Sequence, residues 1–234
     1  MNGGPSNRKV NAAGNHIRRY LLGEEDTEIS LEALEIIRAF RATHATPLQR
    51  VAVNLRYYVD QHSTGRPIVV GQRLKRLTTI ADKLCRQPKM QLARMHDIGG
   101  CRAVLSSEAE IREIVTHLRR RWDCVRVYDY IALPKPHSGY RAYHLVVAKD
   151  GRLIEVQLRT ATQHRWAELI EIVDRRNPGI GLKGGSAPAN LVEYYRIGSE
   201  LLAADERGEP AESAKVARFR ELHEQVTGFH GPNT

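Results

Sequence analysis

Only three cysteines occur in the 234 residues, Cys85, Cys101 and Cys124. An odd number at wide spacing excludes a disulfide framework and offers no thiol pair for zinc, so three reduced, mostly packed thiols are expected. Long apolar runs are missing too. No stretch approaches the length that spans a bilayer, and the opening MNGGPSNRKVN lacks the apolar core of a secretory signal. A soluble, cytoplasmic protein with no membrane partner is the expectation. Acidic residues are in deficit, 27 Asp and Glu against 36 Lys and Arg, which leaves a net charge of +9. That excess favours polyanionic partners through counterion release and steering, and does not separate a nucleotide from RNA. Scattered Lys and Arg also serve plain solubility. No internal repeat is present.

What is there reads as one α+β unit with appendages. Residues 1–25 begin Gly/Asn-rich and continue into the basic stretch His16 to Tyr20, a pattern that predicts a mobile basic segment. A core follows over 26–176. Ser30 ahead of Leu31, Leu34, Ile36, Ile37 and Phe40 predicts a helix, and a second begins near Pro47 with Val51, Val53, Leu55 and Tyr58 inward. The Gly65-Arg66-Pro67 break ends it. Strands are expected over Ile68 to Arg73, Cys101 to Leu105 and Val125 to Ile131, and helices over Thr78 to Arg86, Ser107 to Arg121 and Thr162 to Arg175. Residues 177–188 form a Gly/Pro-rich connector. Beyond it, over 189–234, Leu191 to Ala204 and Ala214 to Val226 read as amphipathic helices that pack on the core or join a second copy in a homo-oligomer. The fold class is α+β: a mixed, mostly antiparallel five-stranded sheet flanked by helices, with extra helices at both ends.

The chemistry concentrates in residues 129–160. Asp150-Gly151 between two alternating runs predicts a two-residue hairpin that sets Val146 across from Glu155, His144 from Gln157 and Ala142 from Arg159. Period-two alternation then puts Tyr140, His144, Glu155, Gln157 and Arg159 on one face, and Leu145, Val147, Ile154, Val156 and Leu158 on the other. The second face is core and the first is a site. Pro134 to Tyr140 is a stiff loop that brings an aromatic ring to the polar face, suited to stacking on a nucleobase. Upstream, Arg73, Lys75, Thr79 and Lys83 lie where a strand hands over to a helix, with Thr79 and Lys83 spaced for one helical face, a cluster that suits a polyphosphate. Asp97-Ile98-Gly99-Gly100-Cys101-Arg102 adds a carboxylate and a guanidinium. Strict alternation puts Asp97 and Arg102 on opposite faces, and a bulge at the glycines would reunite them. His96-Asp97 also matches the metal-binding dipeptide of an HD-type phosphohydrolase, but the further His and Asp ligands of such a site are lacking.

These segments resemble the synthetase domain of the RelA/SpoT family: RLK with Thr79 and Lys83, DIGGCR, DYIALPKPHSGYRAYH and EVQLRT followed by Trp166-Ala167-Glu168 occur in the family's order. The resemblance covers roughly residues 30–176 and implies a nucleotidyltransferase-like fold. It also implies transfer of the β,γ-diphosphate of ATP to a ribose 3′-hydroxyl, with AMP released. On that basis Arg73 and Arg102 sandwich the adenine, Lys75, Thr79 and Lys83 bind the donor phosphates, and Asp97 and Glu155 hold Mg²⁺ as the catalytic pair. Glu155 also takes the hydroxyl proton, and Tyr140 stacks on the acceptor base. Lys135, His144, Gln157 and Arg159 hold the acceptor's phosphates and ribose, and His164 touches its base.

The family serves two acceptors, guanine nucleotides, giving the alarmones ppGpp and pppGpp, and the 3′-terminal adenosine of tRNA in toxic small synthetases. The chain is expected to be a stand-alone small synthetase. His137-Ser138 stands where the family has one residue, Ala142 replaces the customary Ser, and the segment after Trp166-Ala167-Glu168 lacks the usual His and Tyr-Lys. With these departures, the charge excess and the basic groups Arg8-Lys9, Arg18-Arg19, Arg119-Arg120-Arg121 and Arg175-Arg176 favour the tRNA end. A toxin of that kind implies a neutralising antitoxin. The alternatives are an alarmone synthetase acting on GDP or GTP and, from another class, an inactive RNA-binding module.

Overall fold

The computed structural model describes residues 4–24, 29–62 and 69–226. Its elements are α1 (Asn7–Leu21), α2 (Leu31–Ala42), α3 (Ala45–His62), β1 (Val69–Leu74), α4 (Leu77–Arg86), a 3-10 turn at Leu92–Arg94, β2 (Gly99–Leu105), α5 (Glu108–Arg121), β3 (Cys124–Asp129), β4 (Tyr143–Lys149), β5 (Arg152–Thr160), α6 (Ala161–Arg176), α7 (Ala189–Glu206) and α8 (Ser213–Val226). The five strands form one sheet in the order β1-β2-β5-β4-β3. β2 and β5 run parallel and every other neighbouring pair is antiparallel. This is the mixed, mostly antiparallel α+β sheet that the pattern predicts.

The hairpin has the expected register, His144 opposite Gln157 and Val146 opposite Glu155. Asp150 (φ 49°) and Gly151 (φ 72°) both adopt the left-handed conformation that a two-residue turn of this hand requires. Cys101, Ala103 and Leu105 of β2, Leu145 and Val147 of β4, and Ile154, Val156 and Leu158 of β5 pack with Leu48, Val51, Ala52, Leu55 and Val59 of α3 and Ile111, Ile114, Val115 and Leu118 of α5. One face of the sheet is thus sealed by two helices. Ser107 caps α5, and Glu108 and Glu110 in the first turn with Arg119, Arg120 and Arg121 in the last match its dipole.

Four expectations need correction. Residues 7–21, expected to be mobile, form α1, capped by Ser6, and its Val10, Ala13 and Ile17 pack against Ile37, Phe40, Ile80, Leu84 and Leu92. Apolar residues at helical spacing outweigh the Gly/Asn composition there. Val53 is 54% exposed, because the buried stripe of α3 is Leu48, Val51, Ala52, Leu55 and Val59. No bulge interrupts β2, which pairs without a break from Gly99 to Leu105. Asp97 precedes the strand in a turn, so alternation does not govern it. Lastly, β3 spans Cys124 to Asp129 and itself carries a register shift: Cys124 faces Val147 while Arg126 faces Val146. That bulge turns Arg126 and Tyr128 away from the sealed face. The Gly65-Arg66-Pro67 break and Ile68 lie outside the described residues. Among the described residues no helix is long and apolar enough to cross a membrane, and all three cysteines are free.

Candidate active site

The unsealed face of the sheet brings the site together. Direct partners share a face, so the pairs Arg73–Gly100, Gly71–Arg102, Gly100–Glu155, Arg102–Gln157, Val146–Glu155, His144–Gln157 and Tyr128–His144 put Arg73, Arg102, Glu155, Gln157, His144 and Tyr128 on one surface. Glycine occupies the positions beside both arginines on the β1–β2 ladder, which leaves open space at each guanidinium. Among the described residues neither Arg73 nor Arg102 forms an ion pair.

At the end of β1 a charge cluster is already assembled. Lys75 Nζ lies 2.9 Å from Asp97 Oδ2 and Lys83 Nζ lies 2.8 Å from Asp97 Oδ1. Burial pushes the Asp97 carboxyl up, but the two ammonium groups outweigh it and hold the pKa below the ordinary value. Arg41 of α2, which sequence reasoning missed, donates from Nε to Lys75 O at 2.7 Å and fixes the backbone that carries this lysine. Thr79 lies one turn before Lys83 on α4. Lys183, in the connector, was also missed; burial lowers its pKa, and it lies close enough to Arg86 and Lys75 to feel their charge.

On β4 and β5 the expected polar residues form one hydrogen-bonded chain. Arg159 Nη2 donates to Tyr140 Oη (2.6 Å), Tyr140 Oη meets His144 Nε2 (2.7 Å), and His144 Nδ1 meets Glu155 Oε1 (3.1 Å). Gln157 Nε2 donates to Glu155 Oε2 at 2.6 Å, and Arg159 donates to Gln157 Oε1 at 2.6 Å. Burial lowers the His144 pKa, which leaves a neutral ring. The network then assigns its proton to Nδ1, facing Glu155, with Nε2 accepting from the Tyr140 hydroxyl. Burial pushes that phenol up to about 12. Glu155 experiences the same desolvation, but the bonds from His144 and Gln157 prevail and hold it ionised, well below the ordinary range. His96 Nε2 lies 4.0 Å from Glu155 Oε1; the residue set aside with the HD dipeptide thus borders the site.

The loop from Tyr130 to Tyr140 forms a cationic-aromatic corner. Lys135 Nζ stands 4.8 Å from the Tyr130 ring centre and 5.6 Å from that of Tyr140, and the Arg159 guanidinium stands 5.0 Å from the latter. Asp129 accepts from the backbone N–H of Ile131 and Ala132 and pairs with Arg112, so it shapes the turn. At the end of β5, Thr160 and Gln163 form a capping box that starts α6 without a loop. His164 follows in the first turn, within reach of the charges of Arg102 and Arg159. Among the described residues Arg159 Nε and His164 Nδ1 are buried without a hydrogen-bond partner, a condition rare in protein interiors that calls for an explanation such as a bound group.

The basic groups named for an RNA contact do not gather here. Arg119 to Arg121 end α5, on the sealed side of the sheet, where Arg112, Thr116, Arg119, Arg120 and Tyr143 line a separate groove of about 520 Å³. Arg18 and Arg19 end α1, and Arg175 and Arg176 end α6.

Residues 72–172 match the model of a family described as "Region found in RelA / SpoT proteins". The four quoted segments of the RelA/SpoT region and the residues of the polar face fall within that match. The GTP pyrophosphokinase YwaC of Bacillus subtilis is 34% identical over 112 residues, covering 42% of this chain and 53% of that protein. The chain spans about half the length of the curated relatives it matches. Among solved structures, the small alarmone synthetase 2 from Bacillus subtilis superposes with a TM-score of 0.59 at 23% identity, over 73% of this chain and 94% of that one. The small alarmone synthetase 1 from the same organism, bound to its product pppGpp, superposes at 0.57 with 22% identity, over 81% and 95%. These likenesses establish the fold around the RelA/SpoT region.

Proposed function

We propose that this chain is an ATP-dependent pyrophosphokinase that moves the β,γ-diphosphate of ATP to a ribose 3′-hydroxyl. The observation that carries the reading is the polar sheet face, where Asp97 and Glu155, a lysine cluster, two open arginines and two unpartnered buried nitrogens converge. The proposed catalytic unit is residues 26–176. Arg73 and Arg102 clasp the adenine, and Lys75, Thr79 and Lys83, with Lys183, neutralise the donor phosphates. Tyr140 offers its ring to the acceptor base, and Lys135, Gln157, Arg159 and His164 hold the rest of the acceptor. His144 orients Glu155, which aligns the 3′-hydroxyl and receives its proton.

Two carboxylates fit magnesium, which takes one or two such ligands and completes its shell with water and phosphate oxygens. Among the described residues no group of three His, Cys, Asp or Glu side chains is placed to hold a metal without substrate. Asp97 and Glu155 would hold the ion, and it would supply charge neutralisation at the transferring phosphates. For Asp97 to bind it, Lys75 and Lys83 must release the carboxylate, which leaves both ammonium groups for the phosphates.

GDP or GTP is the acceptor favoured by relatives named GTP pyrophosphokinase and by a solved relative with pppGpp as its product. The tRNA 3′-terminal adenosine is the second reading, favoured by the net charge of +9. It requires a toxin's antitoxin and an RNA path that spans basic groups on separate helices. Incubation with Mg²⁺, γ-labelled ATP and, separately, GDP, GTP and deacylated tRNA discriminates the two. Label on guanine nucleotides, abolished by Asp97→Asn, is expected. Label on tRNA that disappears with its terminal adenosine would replace the first reading by the second. RNA binding without any transfer would leave an inactive RNA-binding module.

A further inference from the structure

Tyr140 is half-buried in a row of residues that are otherwise buried, Ser138, Gly139 and Arg141. All three are held by side chains of the surrounding helices. Trp166 Nε1 of α6 donates to Ser138 O at 2.9 Å, and Ser199 Oγ of α7 donates to Gly139 O. Arg141, 3% exposed, divides its guanidinium between Glu108 of α5 (3.2 Å) and Glu206 of α7 (2.6 Å). The same two carboxylates bind the residues that launch α6: the Thr160 hydroxyl donates to Glu206, and Gln163 Nε2 to Glu108 at 2.9 Å. α7 lies so close that a Cβ on Gly139 would stand 2.8 Å from Tyr195 O and 2.5 Å from Ser199 Cβ. Only glycine, here at φ 59°, admits that approach. The additional residue of the loop is accommodated on the same side, with His137 packed against Gly185 of the connector.

We infer that α7, which lies beyond the matched residues 72–172, is part of the acceptor site. Ser199, through the Gly139 carbonyl, and Glu206, through the Arg141 guanidinium, are positioning residues that hold the chain on either side of Tyr140 and so set where its ring meets a nucleobase. The inference rests on the pyrophosphokinase reading. Removing the Ser199 hydroxyl orphans a buried carbonyl, and neutralising Glu206 leaves the buried Arg141 with one carboxylate in place of two.

Glu206→Gln and the milder Ser199→Ala test it, read by hydrogen exchange over residues 134–142 and by equilibrium binding of GDP and of ATP. Faster exchange confined to that loop is expected, with GDP affinity reduced about tenfold and ATP affinity unchanged. A parallel loss for both nucleotides would mean a general structural defect and overturn the positioning role. Tight GDP binding that ignores both substitutions would overturn the role of α7 alone. A parent chain that binds ATP but neither GDP nor an oligonucleotide ending in CCA would overturn the acceptor reading, and with it the role given to α7.

Discussion

The two faces of the sheet are built from the same five strands, often from adjacent residues, and they solve opposite problems. On the sealed face, Cys101, Ala103, Leu145, Val156 and Leu158 meet α3 and α5 and are almost wholly removed from water. There the energetic return is apolar area, and partners are interchangeable within limits of shape. On the other face Glu155, Gln157 and Arg159 alternate with those core residues, and each is held by a particular atom of a particular neighbour. Polar groups in such a setting are costly unless every bond is made. The difference teaches that the strands' stability is drawn mainly from one side, which leaves the other free to hold charge in fixed positions.

Exchanging one atom on the polar face sharpens that contrast most. Glu155→Gln keeps the shape and the bond to His144 but removes the carboxylate. Transfer of label from ATP is expected to fall about 10³-fold, while the thermal unfolding midpoint stays within a few degrees. Loss of folding in place of activity would break the division of labour. The reverse outcome is expected from Leu145→Ala, on the neighbouring strand opposite Val156 and on the sealed face. Leu145 is fully buried, so chemical denaturation should show a loss of about 3 kcal/mol, with turnover per folded molecule retained. The smallest effect is predicted at Arg102, which among the described residues pairs with no carboxylate. Arg102→Ala should move stability by no more than about 0.5 kcal/mol and weaken ATP binding about tenfold, as followed by titration calorimetry. A large stability loss there would show that the polar face also carries folding energy.

How much of this was legible follows from how local each signal is. The hairpin was, because Asp150-Gly151 fixes register and a period of two then assigns every side chain on β4 and β5. The lysine cluster was also legible from its spacing, but its pairing with Asp97 across 14 and 22 residues was not. The glycines of β2 invite a bulge, yet the bulge occurs in β3, where Val125 carries no such mark. Helix α1 was hidden because glycine and asparagine in composition say less than the positions of Val10, Ala13 and Ile17. Ser199 and Glu206 gave no signal at all. A serine and a glutamate within a helix are ordinary, and only the fold brings them to Gly139 and Arg141.

The irregularity in β3 acts as a parity switch. Upstream of Val125 the strand counts odd and even one way, and downstream it counts the other, so Cys124 looks inward while Arg126 looks toward the site. Val125 itself is 47% exposed, and its identity carries little information. What it adds is a bend and not a change of face: without Val125 the ladder would run regularly, Cys124 still inward and Arg126 and Tyr128 still toward the site. At this position the numbering changes step while the faces keep theirs.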